Sequence, residues 1–351
     1  MSETQIKYAK YIPPKIEFNG DITKMKIVTK VKLGYAFASR PMFFMGYLVF
    51  HFNKALNFYN PNSYNLVYKA EFAEGEEEIL SFKKIDEDTL LITNDQSARI
   101  IRFKEAEPKK ITYEVIQEIK ETSFYYLGEI LSNDLLLLGG VDKKYVFYKL
   151  EHYEADKRPN KENLYKKVGE IENVHNVYDD DNPRIIDLNN GYLFSLMNDD
   201  NNIKIIQYEG DFKIIKSLDG YTLHDAGLIS DKYLVLKGLE YPKYYTWLFD
   251  LEQLKIVKTW ETPYNDGFVQ ITSQNRFLTG SDESRFALQE IKEENGDFIL
   301  KDIYVTDYQG FVSFFGNIFL DEKTFLTLAE DKYSAEKDYK SPCYIVVFKC
   351  E

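Results

Sequence analysis

One unit recurs along this chain: a short run of β-branched, aliphatic or aromatic residues, a polar turn, then a second such run. TLLITN (89–94) is followed by RIIRF, LLLLGG (135–140) by YVFY, YLFSLM (192–197) by IKIIQY, and RFLTG (276–280) by RFALQEI. Asn, Asp, Gly or Ser bounds each run, as expected of strands joined by turns. No comparably long segment repeats with a period of 3.6, so few helices are expected. A chain of 351 residues exceeds the roughly 250–300 that one core serves. A fold that adds units escapes that limit. The aromatic share of 16% favours strands, and the apolar share of 44% excludes global disorder.

Alignment of the turns gives a tighter pattern. An Asp opens the turn, a Ser, Asn or Lys follows two residues later, and an apolar or aromatic residue stands six after the Asp. The instances are Asp95 with Ile101, Asp142 with Tyr148, Asp200 with Ile206, and Asp282 with Leu288. Here the sequence resembles the WD-repeat family, whose third strand carries D-x-[ST]-apolar-[KR]-apolar-W-D. NDQSARII and DDNNIKII match at most positions, with Ile101 and Ile206 in place of the Trp. Phe249-Asp250 and Tyr59-Asn60 stand where the family has Trp-Asp, and Phe348 is the last equivalent. The family's Gly-His pair is absent, and His224 lies nearest to where its His would be.

The resemblance implies an all-β fold, a seven-bladed β-propeller of four-stranded antiparallel blades. In this family an N-terminal strand completes the last blade, and MKIVTKVK (25–32) has the alternation to do so. Residues 1–24 are then an N-terminal arm, extended around Pro13-Pro14, and 25–351 a single domain. Two insertions are expected, at 152–167 after a third strand and at 330–342 before one.

No catalytic constellation is visible. The histidines, His51, His152, His175 and His224, form no H-E-x-x-H or zinc spacing. His51 reads as a strand residue, and His175 and His224 as inter-blade loop residues. A metal site joining the last two to Asp179, Asp180 and Asp181 is the weaker reading, because loop aspartates usually form turns or stay solvated. No G-x-S-x-G, phosphate loop or dinucleotide fingerprint occurs, and NDDNN (198–202) lacks the Gly and Glu of a calcium loop. No cofactor is expected. Cys343 and Cys350, seven apart on one strand, would stand about 23 Å apart, beyond the roughly 7 Å limit for a bridge. The N-terminus lacks a signal sequence, and the longest apolar stretch, 41–50, is too short for a membrane span. A cytoplasmic or nuclear protein is expected.

The net charge of −13 argues against binding duplex nucleic acid, which needs a basic stripe. In a propeller, the second-to-third-strand turns and the inter-blade connections share one face. Asp179, Asp180, Asp181, Asp199, Asp200, Asp282 and Glu283 fall there, with Glu74, Glu76, Glu77, Glu78, Glu330 and Asp331. Lys104, Lys109, Lys110, Lys157, Arg158, Lys161, Lys166 and Lys167 fall in third-to-fourth-strand turns on the opposite face. The expectation is a dipolar ring whose acidic face docks a basic segment of another protein, a non-catalytic scaffold. The alternatives are a metal-dependent hydrolase using channel carboxylates and a fixed subunit of a large assembly.

Overall fold

The computed structural model describes residues 9–17, 22–34, 41–52, 55–72, 79–94, 96–107, 110–120, 125–140, 142–150, 165–175, 184–197, 202–262, 266–281, 285–307, 311–331 and 342–351. Among them no helix occurs, so none is long and apolar enough to cross a membrane. The strands form seven four-stranded antiparallel sheets. Blade 1 holds β2 (Met42–Phe44), β3 (Tyr47–Phe52), β4 (Ala55–Tyr59) and β5 (Leu66–Glu71). Blade 2 holds β6 (Ser81–Lys84), β7 (Thr89–Thr93), β8 (Ala98–Glu107) and β9 (Lys110–Ile119). Blade 3 holds β10 (Tyr125–Leu131), β11 (Leu135–Gly140), β12 (Lys144–Leu150) and β13 (Tyr165–Glu172). Blade 4 holds β14 (Arg184–Asp187), β15 (Tyr192–Met197), β16 (Asn202–Gln207) and β17 (Lys213–Asp219). Blade 5 holds β18 (Thr222–Leu228), β19 (Tyr233–Glu240), β20 (Lys243–Asp250) and β21 (Lys255–Thr262). Blade 6 holds β22 (Asp266–Ser273), β23 (Arg276–Ser281), β24 (Arg285–Glu294) and β25 (Asp297–Asp307). Blade 7 holds β26 (Phe311–Asp321), β27 (Thr324–Asp331) and β28 (Cys343–Cys350), and takes its outer strand from β1 (Met25–Gly34).

The N-terminal strand therefore closes the ring: Met25 pairs with Cys350 and Gly34 with Cys343. The two cysteines stand at opposite ends of β28, buried and not joined in a disulfide.

The core is divided into seven apolar clusters, each between consecutive blades. Val49 and Phe58 of blade 1 meet Leu90 and Ile101 of blade 2. The series continues around the ring. It ends where Leu328 and Val347 of blade 7 meet Leu48 and Tyr59 of blade 1. Second and third strands therefore bury both faces, as in LLLLGG of β11, where every residue is buried. Fourth strands bury little, as in KIIKSLD of β17.

Every blade repeats one irregularity. The third-to-fourth-strand pairing slips by one residue, and the looped-out residue is Val67, Ile116, Val168, Ile215, Val257, Ile303 or Val28. It is β-branched each time, at a bulge that sharpens the twist of the outer strand.

The third-strand residue beside each bulge faces the preceding blade. Tyr59, Ile101, Tyr148, Ile206, Phe249 and Phe348 hold this place in six blades and are buried. In blade 6 it is Gln289, and Leu288 faces blade 7 instead. The turn after Asp282 is one residue longer than in blade 2, so six residues from the Asp land on the other side of the strand. Asp250 and Asn60 follow this position where the hairpin closes at once. Asp250 Oδ1 accepts the N–H groups of Glu252 and Gln253 at 2.8 Å. Asn60 Oδ1 accepts those of Asn62 and Ser63 at 2.9 and 3.0 Å. Where the third strand runs on, as in β8, no such cap is needed.

The insertions differ in detail from the expectation. Tyr165, Lys166 and Lys167 already belong to β13, and Glu330 and Asp331 to β27.

Candidate functional site

The first strands of the blades surround a central channel, the place where the ring can converge groups from several strands. A cavity of about 380 Å³ occupies it, bounded by Glu129 of β10, Arg184–Asp187 of β14, Ala226–Leu228 of β18 and Val269–Ile271 of β22. Close approach of these strands depends on small residues. A Cβ at Gly227 would stand 2.6 Å from Ile271 Cδ1.

Charges on these strands are paired across blades. Lys83 Nζ of β6 meets Glu129 Oε2 at 2.6 Å, and Arg184 Nε meets Asp225 Oδ1 at 2.8 Å. Asp225 is 1% exposed, and its carboxylate also accepts Ala226 N and Val269 N at 2.8 Å. One carboxylate thus joins blades 4, 5 and 6, and what it does is hold inner strands together. Asp187 does the same for blades 3 and 4, accepting Ser132 N at 2.6 Å and the Tyr208 hydroxyl at 2.7 Å. Among the described residues no three His, Cys, Asp or Glu side chains converge as a metal site would require.

The N-terminal arm covers one mouth of the channel. Tyr11, Ile12 and Pro14 help to enclose the cavity. Lys10 N donates to Leu188 O at 2.8 Å, Asn189 Nδ2 to Lys10 O at 3.1 Å, and Tyr11 N to Asp231 Oδ1 at 2.7 Å. Leu188 and Asn189 lie in the first-to-second-strand turn of blade 4, and Asp231 in that of blade 5. Burial, helped by the Glu17 carboxylate, pushes the Tyr11 hydroxyl up to about 12. Nothing in the composition of residues 9–17 signals this seat. The hydrogen bonds that seat Lys10 and Tyr11 come from their backbone groups.

Asp179, Asp180, Asp181, Asp199, Asp200, Asp282 and Glu283 lie outside the described residues, as do Asp95, His152 and Glu74 to Glu78. Asp142 is described and exposed. In blade 2 the turn is braced by Asn94, whose Oδ1 accepts Gln96 N at 2.9 Å and Ser97 N at 2.6 Å. Of the two histidines expected in inter-blade loops, His175 lies in the connection between β13 and β14, and only His224 is placed differently. His224 lies inside β18, looped out of its pairing with β19, and His175 is fully buried, its Nε2 3.3 Å from Ser195 O. His51 lies in β3.

The face that carries the third-to-fourth-strand turns is not uniformly basic. Lys104, Lys110, Lys166 and Lys167 are exposed there. The same face also carries the first-to-second-strand turns, with Asp86, Glu87, Asp134, Asp231, Asp321 and Glu322 exposed. A count restricted to third-to-fourth-strand turns omits these carboxylates.

No family model matches the sequence, and no curated protein matches it. Solved structures do share the fold. One is described as the structure of the Neurospora crassa Pan2 WD40 domain, at 12% identity and a TM-score of 0.61 over 93% of this chain and 95% of that one. Another is a chain in a crystal structure of the mitotic checkpoint complex, at 8% identity and a TM-score of 0.62 over 97% of this chain and 99% of that one.

Proposed function

We propose that the protein is a non-catalytic interaction scaffold. Its acidic loop face, carrying Asp179, Asp180, Asp181, Asp199, Asp200, Asp282 and Glu283, docks a basic segment of another protein. The observation that carries this reading is the strand order. β13 leads to β14 through residues 173–183, β15 to β16 through 198–201, and β23 to β24 through 282–284. In a meander closed into a ring, these connections all leave the strands at one end. Asp142, Glu172, Asp219 and Glu240 are exposed at that same end and add to the negative field. Of the lysines at that end, Lys120, Lys144 and Lys243 are held by Glu118, Glu172 and Glu261 at 3.0, 3.0 and 2.7 Å, and Lys32 is exposed. A negative face speeds encounter with a basic partner and loses that advantage as salt rises. The WD40 domain and the complex-bound chain that share the fold fit a protein partner.

The test is a triple Asp→Asn change at 179–181. Thermal stability should stay nearly unchanged, and capture of the natural partner should slow, most at low salt. Unaltered association kinetics would remove the docking face from the account. The second reading is a fixed subunit of an assembly, favoured by the likeness to a chain of the mitotic checkpoint complex. Gel filtration of native extract separates the two, since a fixed subunit never elutes alone.

A further inference from the structure

Residues 9–11 sit on the ring as a bound peptide would. Ala9 is 3% exposed and completes the apolar cluster between blades 4 and 5. Both peptide groups of Lys10 are bonded, its N–H to Leu188 O and its C=O from Asn189 Nδ2, and Tyr11 N is held by Asp231 Oδ1. Tyr11 packs on the same cluster. The Lys10 side chain points outward and is exposed, as is Ile12 at 58%. Recognition thus reads an extended backbone, one small apolar anchor and an aromatic residue two positions on. Main-chain bonds of this kind supply affinity to any extended segment, and the anchor pocket supplies selectivity. Past Tyr11 the seat is shallow, so the arm is held by few side chains.

We propose that the groove between blades 4 and 5, on the face opposite the acidic loops, is a docking site for an extended segment of a partner protein. That segment carries a small apolar residue at the anchor and an aromatic residue two positions later. The chain's own residues 9–11 occupy the groove in cis and compete with it. The inference is independent of the acidic-face reading, because it uses the other face.

The probe is a fluorescein-labelled peptide of residues 8–17, YAKYIPPKIE, titrated into full-length protein and followed by anisotropy. The wild-type groove is filled by its own arm. Ala9→Glu places a charge in the apolar cluster and unseats the arm. Lys10→Pro removes the N–H that Leu188 accepts and leaves the groove itself untouched. Both variants should bind the peptide at least tenfold more tightly than wild type. A peptide with Glu at the anchor should not bind them, and Asp231→Ala added to Lys10→Pro should weaken binding. If Ala9→Glu fails to fold, Lys10→Pro decides alone. Peptide binding no tighter in Lys10→Pro than in wild type would overturn the proposal.

Discussion

His51 stands in β3 with its ring edge-on to Phe82, centroids 5.7 Å apart, and burial lowers its pKa to about 4. The unfolded chain takes up that proton near pH 6.5, while the folded chain resists it. The folded state therefore binds fewer protons between pH 6.5 and 4, and stability falls as pH drops through this window. From pH 7 to pH 5 this one residue should remove about 2 kcal/mol. Denaturant unfolding at both pH values should show a His51→Gln variant with a smaller loss by that amount. An equal loss in both proteins would mean that His51 is solvated when folded. Gly227 makes a second prediction at this scale. Gly227→Ala should cost about 1–3 kcal/mol, because Ile271 must move from a packed inter-blade contact. A melting temperature at the wild-type value would show that Ile271 yields freely.

Gln289 is the one polar residue among the seven third-strand positions beside the bulges. The position beside each bulge is aromatic or aliphatic in six blades, so a polar residue there does not announce itself. It is polar because Lys237 of β19, fully buried, donates to Gln289 Oε1 at 2.9 Å and lies 5.7 Å from the Phe277 ring. Gln289 Nε2 passes the contact on to Asp302 at 2.7 Å. Leu196 and Leu328 occupy the place of Lys237 in blades 4 and 7. Gln289→Leu alone should destabilise by about 3 kcal/mol, because it removes a hydrogen-bond acceptor from a buried ammonium. Adding Lys237→Leu should recover most of that loss. A double variant no more stable than the single one would show that the polar pair is not the reason for the cost. Element by element, legibility followed burial. The four hairpins read from the sequence are second and third strands, buried on both faces and hence continuous apolar runs. First strands such as β14, four residues long, and fourth strands such as β17, half solvated, carry no comparable signal. The arm's seat was illegible for another reason. Its bonds are backbone groups, which every residue has.

At the scale of the whole molecule, closure governs everything else. The proposed acidic face, the channel and the groove between blades 4 and 5 each draw on several blades. The turns keep their places only while the ring is shut. Shutting it requires β1 to pair with β28 across eight residue positions, from Met25–Cys350 to Gly34–Cys343. Without β1, β28 becomes an exposed edge carrying YIVVF, an invitation to intermolecular pairing. The direct measurement compares full-length protein with fragments 9–351 and 33–351 by gel filtration and denaturant unfolding. The account predicts that 9–351 remains monodisperse and unfolds in one transition, while 33–351 aggregates or unfolds without cooperativity. A soluble 33–351 fragment with a single sharp transition would contradict closure by the N-terminal strand.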